Sequence, residues 1–142
     1  TGEQRVWAAD ELSFRYRSSA IGSEQIVLAV TMNVNPGESS DGEALLSEIV
    51  RWRREHQPGG QNAGSVFTNP SGESAGRLIE AAGGKGLRVG TAQVSDKHAN
   101  FIQTDPNGMA DDVLDLMRRV QALVWEHAGT RLEPETRLVG FS

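Results

Sequence analysis

The 142-residue sequence predicts an α+β fold, in which helices and β segments follow one another in a non-repeating order around one core. The strongest helix signal lies between residues 111 and 128, where apolar side chains recur three and four positions apart. The strongest strand signal lies at residues 25–35, where apolar side chains alternate. Apolar residues make up 37% of the chain and charged residues 23%, an ordinary globular composition that can bury a sizeable core.

The helix predicted at 111–128 has one apolar face and favourable charges at both ends. Its apolar positions are Val113, Leu116, Met117, Val120, Leu123 and Val124. Asp111 and Asp112 lie in the first turn and His127 in the last, each with the sign that the helix dipole favours. Gly129 follows directly. We therefore expect a long amphipathic helix packed on the core.

A strand with one buried face is predicted at 25–35. The alternation places on that face Ile26, Leu28, Val30, Met32 and Val34. Pro36-Gly37 and the cluster at 38–42 interrupt the pattern and mark the expected domain boundary. Asp41 is suited to cap a helix over Gly42–His56, which Gln57-Pro58-Gly59-Gly60 would end.

The remaining predicted elements are shorter. They are a β-leaning segment at 5–16, a β segment at 65–67, a helix over Ser74–Ala82 ended by Gly83-Gly84, β segments at 87–94 and 100–103, and a final strand at 136–141. Turns are expected at 69–72 and 105–108, since both stretches combine proline with Asn and Gly.

Composition argues against several classes of function. The formal net charge is −5 and no basic block occurs, so nucleic acid and anionic membranes are disfavoured as partners. Cysteine is absent, and His56, His98 and His127 have no metal-ligand spacing, which disfavours a metal site. The first residues lack the pattern of a signal peptide and the apolar runs are short, so we expect a cytoplasmic protein.

Three polar stretches are candidates for chemistry. Arg15 and Arg17 alternate with aromatic residues and could clamp a carboxylate, or could be solvated charges on an exposed strand. Ser65 follows a Gly-rich and Asn-rich loop that would let a ligand approach, although a Gly-Ser pair is usually only a turn. In Glu133-Pro134-Glu135, one glutamate could supply a functional carboxyl group, or both could be ordinary acidic surface residues. The spacings of a hydrolase nucleophile elbow and of a phosphate-binding loop are both absent.

Five motifs in order give the chain a resemblance to a known family. They are Tyr16-Arg17-Ser18-Ser19; Gln57-Pro58 with Gly64-Ser65-Val66-Phe67-Thr68-Asn69-Pro70; Ala75-Gly76-x-Leu78-Ile79-Glu80 with Ala82-Gly83-x-Lys85-Gly86; Val94-Ser95-x-Lys97-His98-Ala99-Asn100-Phe101; and Leu132-Glu133-Pro134-Glu135-x-Arg137. Over residues 12–141 the sequence resembles the carboxy-terminal half of the UDP-N-acetylenolpyruvoylglucosamine reductases. It is similar to the subgroup that lacks an inserted tyrosine-bearing loop.

The resemblance implies a flavin reaction in peptidoglycan precursor synthesis. A hydride would travel from NADPH by way of FAD to the enolpyruvyl methylene carbon of UDP-N-acetylglucosamine enolpyruvate. Ser65 would then donate a proton to the adjacent carbon, while Arg17 and Glu135 stabilise the enolate-like charge on the substrate carboxylate. Glu135 could donate a hydrogen bond to that charge only if it carries a proton.

The resemblance also implies a set of binding residues. Substrate contacts would come from Tyr16, His56, Asn69, Lys97 and His98, with Asn69 and His56 near the diphosphate; for Lys97 and His98 a plain surface role stays open. Gly64 and Arg137 would face the cofactor. The implied protein is a cytoplasmic monomer.

The family's Gly-rich FAD-binding segment does not occur in these residues, so the chain resembles a fragment. Residues 1–36 would finish the flavin-binding portion, 37–135 would form the UDP-sugar-binding domain, and 136–142 would be a terminal strand that returns towards the flavin-binding portion. Two alternatives stay open. One is an isolated UDP-sugar-binding module without redox activity, and the other is a structural domain that kept the pattern without the chemistry.

Overall fold

The computed structural model describes residues 2–140, and the chain divides into two compact units. The first unit ends at Glu38 and the second begins at Ser39. The division falls within the stretch at 36–42 where the sequence pattern changes. Whether the first unit is the end of a flavin-binding portion stays a prediction.

The second unit has an α+β architecture, which confirms the predicted fold class. Its elements are α1 (Ser39–His56), β1 (Asn62–Ser65), α2 (Ala75–Ala81), β2 (Arg88–Val89), β3 (Ala92–Val94), β4 (Phe101–Thr104) and α3 (Ala110–Ala128). The four strands form one antiparallel sheet in the order β1-β4-β3-β2. Because β2 and β3 are joined only by Gly90-Thr91, the predicted segment at 87–94 is a tight hairpin.

The core lies between the sheet and the two helices that cover it. α3 packs against β2, β3 and α2. Its buried side chains are Leu116, Met117, Val120 and Val124, all on the predicted apolar face. The largest fully buried side chains of the other elements and loops are Phe67, Ile79, Val94 and Leu132. The apolar spacing in the sequence therefore predicted the core-facing side of α3 correctly.

Both covering helices end as their sequences predict. Ser74 caps α2 by accepting a hydrogen bond from the Arg77 N–H, and Gly83 follows the helix at φ +78°. α3 ends at Gly129, whose φ is +61° and whose N–H donates to the Trp125 carbonyl at 2.8 Å.

The strand predicted at 25–35 is wrong, because these residues form no strand in the described chain. Their alternating side chains are 69–85% exposed: Ile26, Leu28, Val30, Met32 and Val34. A strand needs a neighbour for its backbone hydrogen bonds and a surface for its apolar face. Residues 2–38 supply neither. Residues 5–16 likewise form no strand but turns and irregular segments, and Arg15 alone among them makes a β-bridge, to Ser18.

The helix predicted at 42–56 exists but begins earlier. α1 starts at Ser39, so Asp41 lies in its first turn and does not cap it. None of its side chains is buried, and the apolar ones remain 45–63% exposed: Leu45, Leu46, Ile49, Val50 and Trp52. The amphipathic pattern predicted the helix, but no described element packs over its apolar face.

The final strand predicted at 136–141 is also wrong within the described residues. The backbone of this segment pairs with residues 66–68 through one β-bridge, between Phe67 and Pro134. The pairing ends at Thr136. The N–H groups of Glu135 and Thr136 both point to the Val66 carbonyl, at 2.8 and 3.4 Å. Since the register no longer advances there, no ladder can continue. Phe141, which belongs to this prediction, lies outside the described residues.

Among residues 2–140, every helix is too short or too polar to cross a lipid bilayer.

Candidate functional site

Ser65 lies at the end of β1, where the strand departs from regular pairing. It is half-buried and sits opposite Phe101 of β4, and the register shifts between Asn62 and Ser65. The preceding residue, Gly64, has φ +82°, a conformation that glycine adopts without strain. The Asn62 side chain accepts a hydrogen bond from the Gly64 N–H at 3.0 Å. This bulge turns the chain just before the serine.

Asn100 forms hydrogen bonds with Val66 and Phe67, the two residues that follow Ser65. Its own carbonyl accepts from the Val66 N–H at 2.9 Å. Its side-chain amide makes two further bonds to Phe67, accepting from the N–H at 3.0 Å and donating to the carbonyl at 2.8 Å. Asn100 is only 5% exposed. A single side chain thus replaces a strand partner for the Phe67 peptide groups.

Glu135 lies on the other side of the same residues. Its N–H donates to the Val66 carbonyl at 2.8 Å, and the Thr68 N–H donates to the Glu133 carbonyl at 2.9 Å. Glu135 is half-buried. The second unit therefore brings the backbones at Ser65 and Glu135 next to each other, although the two residues are far apart in sequence. Arg137 follows as an exposed residue.

Asn69 has a structural role at the start of α2. Its side-chain oxygen accepts a hydrogen bond from the N–H of Ala75, the first residue of the helix, at 3.0 Å. The side chain is otherwise exposed. The carbonyl end of this amide is thus used to close the loop at 69–75.

His98 packs between α2 and the sheet as a half-buried ring. It makes an edge-to-face contact with Phe101, with ring centroids 4.9 Å apart. Its Nδ1 accepts from the Asn100 N–H at 3.2 Å, so Nε2 carries the proton of the neutral ring. Burial lowers the pKa of His98, because the charged ring would lose hydration, and the Lys85 charge adds to the effect. The lowered pKa favours the neutral form of the His98 ring at pH 7.

Close packing beneath His98 depends on a glycine. A Cβ at Gly76 would lie 3.2 Å from Cε1 of His98 and 3.7 Å from Cβ of Asn100. Gly76 is buried in the first turn of α2. The small residue lets the helix approach the histidine and asparagine together.

Lys97 contacts the last turn of α1, the helix that ends at His56. The Lys97 ammonium donates a hydrogen bond to the Arg54 carbonyl, one of the last carbonyls of the helix. This places a positive charge at the negative end of the helix dipole. His56 ends α1, is exposed, and stacks on Trp52 with ring centroids 4.6 Å apart.

Tyr16 and Arg17 belong to the first unit and form the tip of a tight turn. The Arg15 N–H donates to the Ser18 carbonyl at 3.0 Å, and the Ser18 N–H donates back at 3.2 Å. Arg17 has φ +54°, a left-handed conformation that is uncommon and strained for a residue with a side chain. Tyr16 is 65% exposed.

Within residues 2–140, no three His, Asp or Glu side chains are grouped closely enough to hold a metal ion. Sequence reasoning did not single out Asn100 as a structural residue. The signal that could have found it is a single amide between Ala99 and the apolar pair Phe101-Ile102, a position where a buried polar group needs partners.

Comparison with known proteins agrees with this architecture. A family model described as the UDP-N-acetylenolpyruvoylglucosamine reductase C-terminal domain matches residues 55–139. The chain is 48% identical over 134 residues to UDP-N-acetylenolpyruvoylglucosamine reductase 2 of Symbiobacterium thermophilum, covering 93% of this chain and 44% of that protein. It is 41% identical over 141 residues to the reductase of Paramagnetospirillum magneticum, covering 99% and 46%.

A solved structure shows the same fold. The crystal structure of UDP-N-acetylenolpyruvylglucosamine reductase from Thermus caldophilus superimposes with a TM-score of 0.79 and 39% identity. The match covers 94% of this chain and 47% of that chain. The chain therefore spans about half the length of the relatives that it matches.

Fold and site together define an α+β domain of the kind that forms the carboxy-terminal part of a larger reductase. The chain belongs to the family of UDP-N-acetylenolpyruvoylglucosamine reductase C-terminal domains.

Proposed function

We propose that this chain is the carboxy-terminal part of a reductase that converts UDP-N-acetylglucosamine enolpyruvate to UDP-N-acetylmuramate. The reaction would supply peptidoglycan precursors and so support cell shape and division. The observation that carries the proposal is the hydrogen bond from the Glu135 N–H to the Val66 carbonyl, 2.8 Å long. It joins the Glu135 backbone to Val66, the residue that directly follows Ser65, within one folded unit.

The proposed cofactor is FAD, with NADPH as cosubstrate. Gly64 fits the close approach of a flat ring, because a Cβ there would meet no heavy atom within 4 Å. Arg137 is exposed and could pair with an anionic group of the cofactor. When bound, FAD would carry a hydride from NADPH to the substrate's methylene carbon.

Ser65 is proposed as the proton donor. Hydride arrival at the methylene carbon forms a C–H bond and sends the double-bond electrons towards the substrate carboxylate. The Ser65 hydroxyl then gives its proton to the adjacent carbon, and the electron pair returns to form the second C–H bond. The serine regains a proton from solvent. A serine can do this only where its alkoxide is stabilised by its surroundings.

Arg17 and Glu135 are proposed to stabilise the charge that develops on the carboxylate. Arginine offers a planar fork of donors that matches two carboxylate oxygens. Preorganised donors of this kind are worth on the order of 3 kcal/mol in a transition state. The strained backbone of Arg17 supports this role, since such strain tends to be retained where function requires it.

The diphosphate and sugar of the substrate are proposed to contact Tyr16, His56, Asn69, Lys97 and His98. The Lys97 ammonium binds the Arg54 carbonyl two residues before His56, which supports a shared role for the end of α1. His98 would act as a neutral hydrogen-bond donor through Nε2. The proposed enzyme would work in the cytoplasm, where the NADP pool is kept reduced. We propose that it is a monomer, and sedimentation velocity would test this.

The test supplies the flavin-binding half from a relative. The part of the Symbiobacterium thermophilum reductase that precedes its match to this chain would be fused ahead of residue 1. We expect the fusion to oxidise NADPH and reduce UDP-N-acetylglucosamine enolpyruvate. Ser65→Ala should abolish substrate reduction and leave reduction of the flavin by NADPH intact.

Ser47→Ala is the matched control, because Ser47 is an exposed serine on α1 and should leave both half-reactions unchanged. Full substrate reduction by the Ser65→Ala fusion would exclude the role given to this serine.

A second candidate is a UDP-sugar-binding module without redox activity. The observation in its favour is that the chain covers only 44–48% of the length of several relatives. Calorimetry of the chain alone with UDP-N-acetylglucosamine would give heat for a binding module and none for an inert domain. When the chain alone is titrated with FAD, we expect weak binding or none. Tight stoichiometric binding would contradict the expectation that most of the FAD site lies outside this chain.

A further inference from the structure

We propose that Asn100 is a positioning residue that holds Ser65 in register with Glu135, an inference that rests on the proposed function. The Asn100 side chain bonds to Phe67 and the Asn100 carbonyl bonds to Val66. Val66 and Phe67 follow Ser65 in the chain, and Val66 also bonds to Glu135. Asn100 therefore acts through the Val66-Phe67 backbone and not on the substrate itself.

The Val66 peptide groups connect the two sides of the site. The Val66 N–H donates to the Asn100 carbonyl at 2.9 Å, and the Val66 carbonyl accepts from the Glu135 N–H at 2.8 Å. Ser65 immediately precedes Val66 and is the last residue of β1. A movement of Asn100 would therefore shift the serine and the Glu135 backbone relative to each other.

The chemistry at Phe67 requires a side-chain amide. Phe67 is 1% exposed and presents one donor and one acceptor to Asn100, whose carboxamide supplies the complementary pair. Aspartate has the same shape but would face the Phe67 carbonyl with an oxygen instead of a donor. Serine is too short to reach both groups. Either change leaves a buried backbone group unpaired, which the chain can relieve only by moving.

The test uses the reductase fusion with Asn100→Asp and Asn100→Ser. We expect kcat for enolpyruvyl reduction to fall on the order of 10²-fold, because a displacement of about 1 Å in a reacting group costs that much. Reduction of the flavin by NADPH should change by less than about twofold, since no proposed step of that half-reaction uses Ser65. KM for the substrate should change far less than kcat.

Thr91→Val is the control for lost stability. Thr91 lies at the turn between β2 and β3, and its hydroxyl also bonds backbone and side-chain groups, accepting from the Met109 N–H at 2.8 Å. Removing that hydroxyl should lower the melting temperature and leave kcat for the substrate unchanged.

The outcomes separate this inference from the proposed function. A wild-type fusion that cannot reduce the substrate overturns the proposed function and the role of Asn100 with it. If the wild-type fusion is active and Asn100→Ser has the same kcat, only the positioning role of Asn100 is overturned. If Asn100→Asp does not fold, the result for Asn100→Ser is used. Equal losses of kcat in Thr91→Val and Asn100→Ser would also overturn it, because lost stability would then account for both.

Discussion

Single side chains take the place of backbone partners at three points of the second unit. The Asn100 amide pairs with the Phe67 peptide groups, the Asn69 oxygen accepts from the Ala75 N–H, and the Thr91 hydroxyl accepts from the Met109 N–H. Each backbone group would otherwise lack a partner at the end of a strand or helix. Short polar side chains in the loops therefore carry much of the specificity of this fold.

His98 gives the second unit a dependence on pH. Burial lowers its pKa below 6.5, so the folded protein binds its proton less readily than the unfolded chain does. The stabilising contribution of the neutral ring is therefore complete above about pH 6.5 and is lost as the pH falls through the lowered value. We expect the urea midpoint of the chain to decrease between about pH 7 and pH 5, measured by circular dichroism.

The matched variant is His98→Gln, which keeps a polar side chain and cannot titrate. The urea midpoint of this variant should fall less between about pH 7 and pH 5 than that of the wild type. Parallel decreases in both proteins would show that other groups cause the pH dependence.

Arg17 offers a separation of stability from activity. Its φ of +54° strains any residue with a Cβ, whereas glycine adopts it freely. Arg17→Gly in the reductase fusion should therefore leave the melting temperature unchanged or higher and reduce kcat for the substrate by about 10²-fold or more. Thermal melts and steady-state rates on the same sample would measure both effects.

Arg15→Gly is the control, because Arg15 lies outside the proposed site and takes part in the bridge to Ser18. A rate in Arg17→Gly no lower than in Arg15→Gly would contradict the role proposed for Arg17.

The β2–β3 hairpin is joined to α3 through its turn. The Asp112 carboxylate in the first turn of α3 accepts from the Thr91 N–H at 2.8 Å and from the Thr91 hydroxyl at 2.6 Å. These bonds lower the pKa of Asp112. The Thr91 hydroxyl also accepts from the N–H of Met109, the N-cap residue of α3, whose own side chain makes no capping hydrogen bond.

Gly90 is required at this junction for two reasons. Its φ is +49°, and a Cβ there would lie 2.4–2.5 Å from the Asp112 carboxylate. Gly90→Ala should therefore destabilise the chain by about 2–4 kcal/mol, combining backbone strain with the displaced Asp112 contact. Urea denaturation would measure the change.

Gly83→Ala separates the two causes. Gly83 has φ +78°, and a Cβ there would meet no atom within 4 Å, so only strain remains. We expect a cost of about 1 kcal/mol at that position. Equal losses in the two variants would show that the Asp112 contact adds nothing.

Across residues 2–140, two apolar surfaces have no described element packed on them. One is the alternating stretch from Ile26 to Val34, and the other is the apolar side of α1. The chain covers about half the length of its relatives. If the proposed function is correct, we expect partners for the first surface to come from the proposed flavin-binding half.

Amide hydrogen exchange tests that expectation. In the chain alone, the amides of 25–35 should exchange rapidly, because none of the hydrogen bonds of a ladder protects them. In the reductase fusion the same amides should become protected, while those of α3 should be protected in both. Strong protection of 25–35 in the chain alone would contradict the prediction.

Local sequence patterns were sufficient for the helices and for the fold class. The spacing at 113–124 predicted α3 and its buried side, and Ser74 with Gly83 marked the ends of α2. Such features depend on neighbouring residues along the chain, and these are visible in a sequence. The strand at 25–35 was predicted wrongly for the same reason, because alternation cannot report whether a partner strand is present.

The family resemblance implied catalytic roles for Arg17, Ser65 and Glu135, but local motifs contain no information on the distance between Ser65 and Glu135. Folding settled that point by placing the Val66 backbone between Asn100 and Glu135. Contacts between residues far apart in the chain arise from the packing of the sheet against α2 and α3, a property of the folded molecule as a whole. Local spacing therefore specifies which side chains are available, and long-range hydrogen bonding specifies which of them meet.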